Sequence, residues 1–305
     1  MTRPRTPTDV DAGAGDREVL TVLVQYRMAT TEQMHLIIAP GARIEQTCQR
    51  LAKLRAEGLV DRITLPQAGR TRVWFPSQYG VQVASEWPKL QGRRPPKLVS
   101  DPVAVRLRVG HTLTVTETGL QFLLDARRRG EVCRPLDFLP EVHHPTGGGE
   151  AVVPDALLYY QRRSDDGSML RAFLEVDRAT MRPERLAANL SAYARFHRYV
   201  PAVVGGGRRR AVGMVEQPGE QWCTRYPLFP RLLFILGATG PAGVENRIQA
   251  LQAAAQAVDV TGFLREVPVL AATFSDLLQH GPAAAVWRPV RDPERRVGWM
   301  DPLEP

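Results

Sequence analysis

Lysine is almost missing from this 305-residue chain: of forty basic residues only Lys53, Lys89 and Lys97 are lysines, and none follows residue 97. Chemistry that relies on a lysine is thereby excluded from the last two-thirds of the sequence, and arginine cannot replace it as a base because it stays protonated at any working pH. Cysteine is equally sparse. Cys48, Cys133 and Cys223 are odd in number and far apart, which argues against a disulfide framework and against a zinc cluster. His143-His144 has no Cys or His at ligand spacing. No window approaches the roughly 18 apolar residues of a membrane span, and no basic N-terminal segment leads into an apolar run. The expectation is a soluble, cytoplasmic protein without membrane partners. Gly205-Gly206-Gly207 before Arg208-Arg209-Arg210 lacks the Lys and Ser/Thr of a phosphate-gripping loop.

What is present suffices for two folded units, since 44% of the residues are hydrophobic. The net charge is +8 and the isoelectric point is near 9.8. Residues 41–100 hold eleven Lys or Arg against four acids, a surplus of seven. Such a block suits nucleic acid, or a solvated face.

Within residues 16–88 the spacing predicts three helices and a hairpin. Val19, Leu20, Leu23 and Val24 mark the first helix, and Thr30-Thr31 offers an N-cap to the second, Glu32 to Ile38. Ala42 to Glu57 reads as the third, stopped by Gly58. On it Ile44, Cys48, Leu51 and Leu54 or Arg55 form a packing stripe. Arg43, Gln46, Arg50 and Lys53 form a second stripe, free to read base edges by bidentate hydrogen bonds. Leu59–Leu65 and Arg72–Pro76 read as strands around Pro66–Arg70, so Arg70 and Arg72 would touch phosphate or minor groove. This order resembles the winged helix-turn-helix domains of bacterial regulators. Residues 89–108 read as an extended, basic, proline-rich linker and 281–305 as a loose C-terminal tail.

Residues 109–280 read as a second domain in the order helix, three strands, helix, strand, helix, strand. Two of those strands, Ala156–Gln161 and Met169–Val176, form a hairpin that brings Asp155 towards Glu175 and Asp177. Glu175 and Asp177 leave the same face of a strand, where unpartnered acids need a cation or a basic neighbour. The bland alternative is a hairpin whose ends reach water.

Val153-Pro154-Asp155-Ala156 and Leu174-Glu175-Val176-Asp177-Arg178-Ala179-Thr180, with the strand order around them, resemble the PD-(D/E)xK nuclease superfamily. With the winged helix in front, His111-Thr112-Leu113 and Leu190–Tyr193, the chain resembles the bacterial replication-relaxation family over residues 16–275. The resemblance implies an α/β (α+β) fold, a winged helix followed by a nuclease-like domain with a central mixed sheet. It also implies Mg²⁺ held by Asp155 and Glu175, with Glu141 preferred over Glu117 as a further ligand, and Asp155, Glu175 and Asp177 as catalytic positions. Asp177 stands where the superfamily has lysine. The expected partner is double-stranded DNA, with replication or conjugation proteins and a homodimer as further options. The leading expectation is a DNA-binding protein of plasmid or mobile-element replication, relaxation or mobilisation that nicks or only holds DNA. The alternatives are a transcriptional regulator with an inactive second domain, and an assembly factor.

Overall fold

A computed structural model describes residues 13–65, 69–91, 93, 102–163, 167–201 and 220–302, with 102–107 described by backbone alone. The wing tip at 66–68, most of the linker's centre, the Asp165-Asp166 turn and the Gly205–Arg210 loop lie outside the described residues. The chain divides into two compact units, Met1–Pro140 and Glu141–Pro305.

In the first unit, α1 (Ala14–Tyr26), strand β1 (Ala29–Thr30), α2 (Thr31–Ile38) and α3 (Ile44–Ala56) precede the hairpin of β2 (Val60–Leu65) and β3 (Thr71–Pro76). β3 is central in the order β1-β3-β2, with Val60 opposite Pro76 and Leu65 opposite Thr71. This is the order of a winged helix. Thr30 and Gln33 close a reciprocal capping box that starts α2 at the predicted threonines. Val19, Leu20 and Leu23 of α1, Met34 and Ile37 of α2, and Leu51 and Leu54 of α3 are buried, and Trp74 joins them with its indole N–H donating to Thr31 Oγ1 at 2.9 Å. α4 (Gln78–Ser85) follows, capped by Ser77. A Cβ on Gly80 would stand 1.9 Å from the Leu59 carbonyl oxygen, so only glycine lets α4 approach the strand there.

Two expected boundaries are corrected. α5 runs Pro102–Arg129, 28 residues, and belongs with the winged helix rather than with a domain beginning at 109. Val109 packs with Met28 and Val73, Thr116 Oγ1 donates to the Met28 carbonyl at 2.8 Å, and Arg127 donates to the carbonyls of Leu36 and Ile37. Strand β4 (Phe138–Pro140) ends the unit, Phe138 stacking on Tyr26 at 5.2 Å.

The second unit begins with the small hairpin β5 (His144–Gly147) and β6 (Glu150–Val152). Next come β7 (Ala156–Gln161), β8 (Met169–Asp177), α6 (Pro183–His197), β9 (Arg231–Leu236), α7 (Pro241–Ala255), α8 (Val258–Glu266), β10 (Val269–Thr273), α9 (Phe274–His280) and β11 (Arg288–Pro289). In the mixed sheet these strands lie in the order β11-β10-β9-β8-β7. β8, β9 and β10 run parallel, and β7 and β11 are antiparallel to their neighbours. α6 packs through Leu186, Leu190, Tyr193 and Phe196.

The loose tail is the second correction. Trp287 and Trp299 are fully buried, and β11 pairs with β10. Trp299 meets Tyr160 edge-on at 5.2 Å, and Arg231 donates to the carbonyls of Trp299 and Asp301 at 2.8 Å. Two indoles bury enough apolar area to fix a segment that has little regular structure of its own.

Candidate functional site

α3 presents an exposed face that begins at its N-terminus. Thr47, Leu51 and Leu54 point inward, while Arg43, the N-cap residue, is exposed with Gln46 and Gln49. Residues three apart on a helix stand side by side, so these three make one polar row at the end of the helix that enters a groove in helix-turn-helix proteins. Gln49 was not singled out in the sequence, although the same spacing contains it.

The other two residues of the expected reading stripe are not free. Lys53 Nζ lies 2.6 Å from Asp16 Oδ2 and 4.0 Å from Glu57 Oε1. The Arg50 guanidinium rests against Gly15, where a Cβ would come within 2.8 Å of it. Both side chains turn towards α1, because the first turn of that helix offers a carboxylate and a residue without a side chain.

The hairpin carries more positive charge than Arg70 and Arg72 alone. Both are exposed, and Arg70 adopts φ 63° at the wing. Arg62 faces Trp74 across the hairpin, with its guanidinium carbon 5.3 Å from the ring centroid. Partial burial, then the like charges of Arg72 and Arg55, hold Arg62 below its ordinary value. Arg55 is bound to Asp61 at 3.1 Å. Arg62 was missed because a strand arginine opposite a tryptophan leaves no mark in sequence spacing.

In the second unit the hairpin has the expected strands, and its register, ending at Ala156 opposite Leu174, puts Asp155 next to Glu175. Asp155 is half-buried, and its Oδ2 accepts the Val176 N–H at 2.7 Å. Glu175 is buried. Its Oε1 accepts the Tyr193 hydroxyl at 2.6 Å and its Oε2 accepts the Asn189 amide at 3.2 Å, both from α6. Burial, then the negative charge of Asp155, push the Glu175 carboxyl up to about 8, against the opposing hydrogen bonds of Tyr193 and Asn189. At neutral pH it is therefore mostly protonated.

Asp177 is not a free catalytic position. It is buried in an ion pair with Arg247 of α7, and its Oδ1 accepts the Ala179 N–H at 3.0 Å. Arg247 also donates to the carbonyls of Gly243 at 3.1 Å and Met181 at 3.0 Å. The two acids of β8 thus leave the same face, as expected, and each has its own protein partner, Arg247 being the basic neighbour of Asp177. Arg247, seventy residues along the chain from Asp177, had no sequence signal.

Glu141 is likewise corrected. It follows β4 instead of lying in a strand, with φ 50°, and its N–H donates to the Asp155 carbonyl at 3.1 Å while its side chain is exposed. Glu117 sits on α5, its oxygens accepting from Gln33 at 2.8 Å and Gln121 at 2.7 Å. His111 lies on the same helix, in the first unit. Among the described residues no group of three or more His, Cys, Asp or Glu is placed to hold a metal ion. The donor set does not fit the Mg²⁺ centre that the resemblance implies: both oxygens of Glu175 are engaged by α6, Glu141 is exposed after β4, and Asp177 is paired with Arg247. His144 is a core residue. Its Nε2 lies 2.7 Å from the Tyr226 hydroxyl, and burial, then the Arg225 charge, push it down to about 4.

Among the described residues no helix is long and apolar enough to cross a membrane. A family model described as Replication-relaxation matches residues 20–203. Three structures of Lactococcus lactis ZitR, in different mutant forms, are similar at 15% identity and TM-scores of 0.24–0.25, covering 42% of this chain and 80–82% of theirs. A search among curated proteins finds no match.

Proposed function

The chain belongs to the replication-relaxation family, and from that premise we propose that it is a double-stranded-DNA-binding protein of plasmid or mobile-element replication, relaxation or mobilisation. It reads duplex DNA through α3 and holds phosphate through the wing, and its second unit does not cut. The observation that carries this reading is the exposed row Arg43, Gln46 and Gln49 on α3 beside the arginines of the β2–β3 hairpin. Arg reads guanine and Gln reads adenine in the major groove, and each good bidentate contact is worth about 1–3 kcal/mol of discrimination. Arg70 and Arg72 supply the sequence-independent part, which weakens with salt.

Support for a second unit that does not cut comes from its having no lysine, from Glu175 being engaged by α6, and from Asp177 being paired with Arg247, while Asp155 stands next to Glu175 on the hairpin. We read it as a folded platform for replication or conjugation proteins rather than a cutting domain.

Fluorescence anisotropy on a duplex selected against the wild type tests the reading. Arg43→Ala with Gln46→Ala is expected to weaken binding about 100-fold and to level the preference over an unrelated duplex. Lys53→Ala, whose side chain is shared with Asp16, is expected to cost less than Arg43→Ala alone. Unchanged affinity and preference in the double variant would remove α3 as the reader.

A further inference from the structure

The carboxyl ends of two parallel strands open onto a cavity that the DNA-binding reading does not use. Its volume is about 530 Å³, within the range of small-ligand sites. β9 and β10 run side by side in register, Leu236 beside Thr273, so the loops that leave them face one another at the same edge of the sheet. The cavity lies outside the carboxyl ends of these strands, between α7 and α9.

The lining is divided by chemistry. The apolar wall is made by Val244 and Ile248 of α7 with Phe274 and Leu278 of α9. Arg288 and Arg296 complete the lining, Arg288 from β11 and Arg296 from the segment that the buried tryptophans anchor, where it donates to the Val286 carbonyl at 3.4 Å. Arg296 is exposed. Arg288 is largely buried: its Nε donates to the Pro293 carbonyl at 2.7 Å and its Nη1 to Glu245 Oε2 at 2.9 Å, and the Glu245 bond is the one that an incoming anion can share or displace. Hydroxyls come from Thr239 and from Ser275, whose Oγ is 2.9 Å from Thr273 Oγ1, and Asp276 adds one carboxylate in the first turn of α9.

We propose that this cavity binds a nucleoside 5′-monophosphate, free or at the end of a DNA strand. The apolar wall takes the base, because a flat ring gains from burial against Phe274 and Ile248. Arg288 and Arg296 take the phosphate, for which guanidinium groups are suited by their fixed fork of donors. Asp276 and Ser275 are placed for the sugar hydroxyls, whose O–H groups a carboxylate accepts. This division accounts for a lining that carries both signs of charge.

Isothermal titration of the full chain with adenosine 5′-monophosphate tests the proposal, with adenosine and inorganic phosphate as partial ligands. The expected result is saturable binding at one site per chain, with each partial ligand weaker by about tenfold or more. Arg296→Glu, on an exposed side chain, should weaken it by at least about tenfold, and Glu245→Gln, which frees Arg288, should tighten it. A 5′-phosphorylated single strand, compared with its 5′-hydroxyl form in the Arg43→Ala/Gln46→Ala background, separates the two sources. Preference for the phosphorylated strand assigns the site to DNA ends, and binding of the monophosphate alone assigns it to a free nucleotide. No saturable binding of the monophosphate, or affinity unchanged by Arg296→Glu, overturns the proposal. Because the background variants disable α3, failure here is distinct from failure of the DNA-reading helix.

Discussion

Arg247→Ala is expected to cost about 3–5 kcal/mol of folding stability, measured as a lower urea midpoint at unchanged slope. The side chains of the pair are only 8% and 0% exposed, so the variant leaves Asp177 buried with the Ala179 N–H as its remaining donor among the described residues. Arg247 also ties α7 to the segment after β8 through the Met181 carbonyl, and that tie goes with it. The double variant Asp177→Leu/Arg247→Met is expected to recover much of the loss, because apolar groups of similar volume often replace a buried ion pair at little cost. Equal destabilisation in the single and double variants would show that Asp177 is not held by Arg247 in the way described.

The second large effect concerns Glu175 and is a dependence on pH. Its carboxyl ordinarily titrates near 4.5 and is pushed up to about 8 in the folded protein, first by burial and then by Asp155. Between those values the unfolded chain has released the proton and the folded chain has kept it. Stability therefore falls as pH rises from about 4.5 to about 8 and levels off beyond, a loss on the order of a few kcal/mol. Glu175→Gln keeps the shape and has no proton to lose. The accepting oxygen stays opposite Tyr193, and Asn189 can turn its amide to match the new donor. Thermal unfolding across this range should show a decline in the wild type that the variant lacks, with the variant more stable at pH 8. Parallel pH profiles would contradict the burial of Glu175 beside a charged Asp155.

Much of the architecture was legible because local signals agreed. The apolar run Ala156–Gln161 stands between Pro154-Asp155 and a polar turn, and the strand has those bounds. Thr30-Thr31 marked the start of α2, because a threonine hydroxyl caps the first free N–H groups of a helix. Of the expected inward stripe of α3, Leu51 and Leu54 are buried and Ile44 and Cys48 half-buried, while Thr47 went unread because a buried threonine looks polar. What could not be read depends on distance along the chain. Lys53 and Asp16 are 37 residues apart, and Asp177 and Arg247 are 70 apart. The tail misled because Trp287 and Trp299 lie among prolines and arginines without any period, yet two large rings suffice to seat the segment. α5 was assigned to the wrong unit because its packing on Met28 and Leu36 leaves no trace in its own apolar spacing.

Incubation of supercoiled plasmid with the full chain and Mg²⁺ or Mn²⁺, followed on the same gel for mobility shift and for nicked product, tests the central account most directly. A plasmid carrying the selected duplex is predicted to be shifted alike by wild type, Asp155→Ala and Glu175→Ala and left uncut, while Arg43→Ala/Gln46→Ala needs about 100-fold more protein for the same shift. Metal-dependent nicking by the wild type that disappears in both acid variants would contradict the account and establish the second unit as a nuclease.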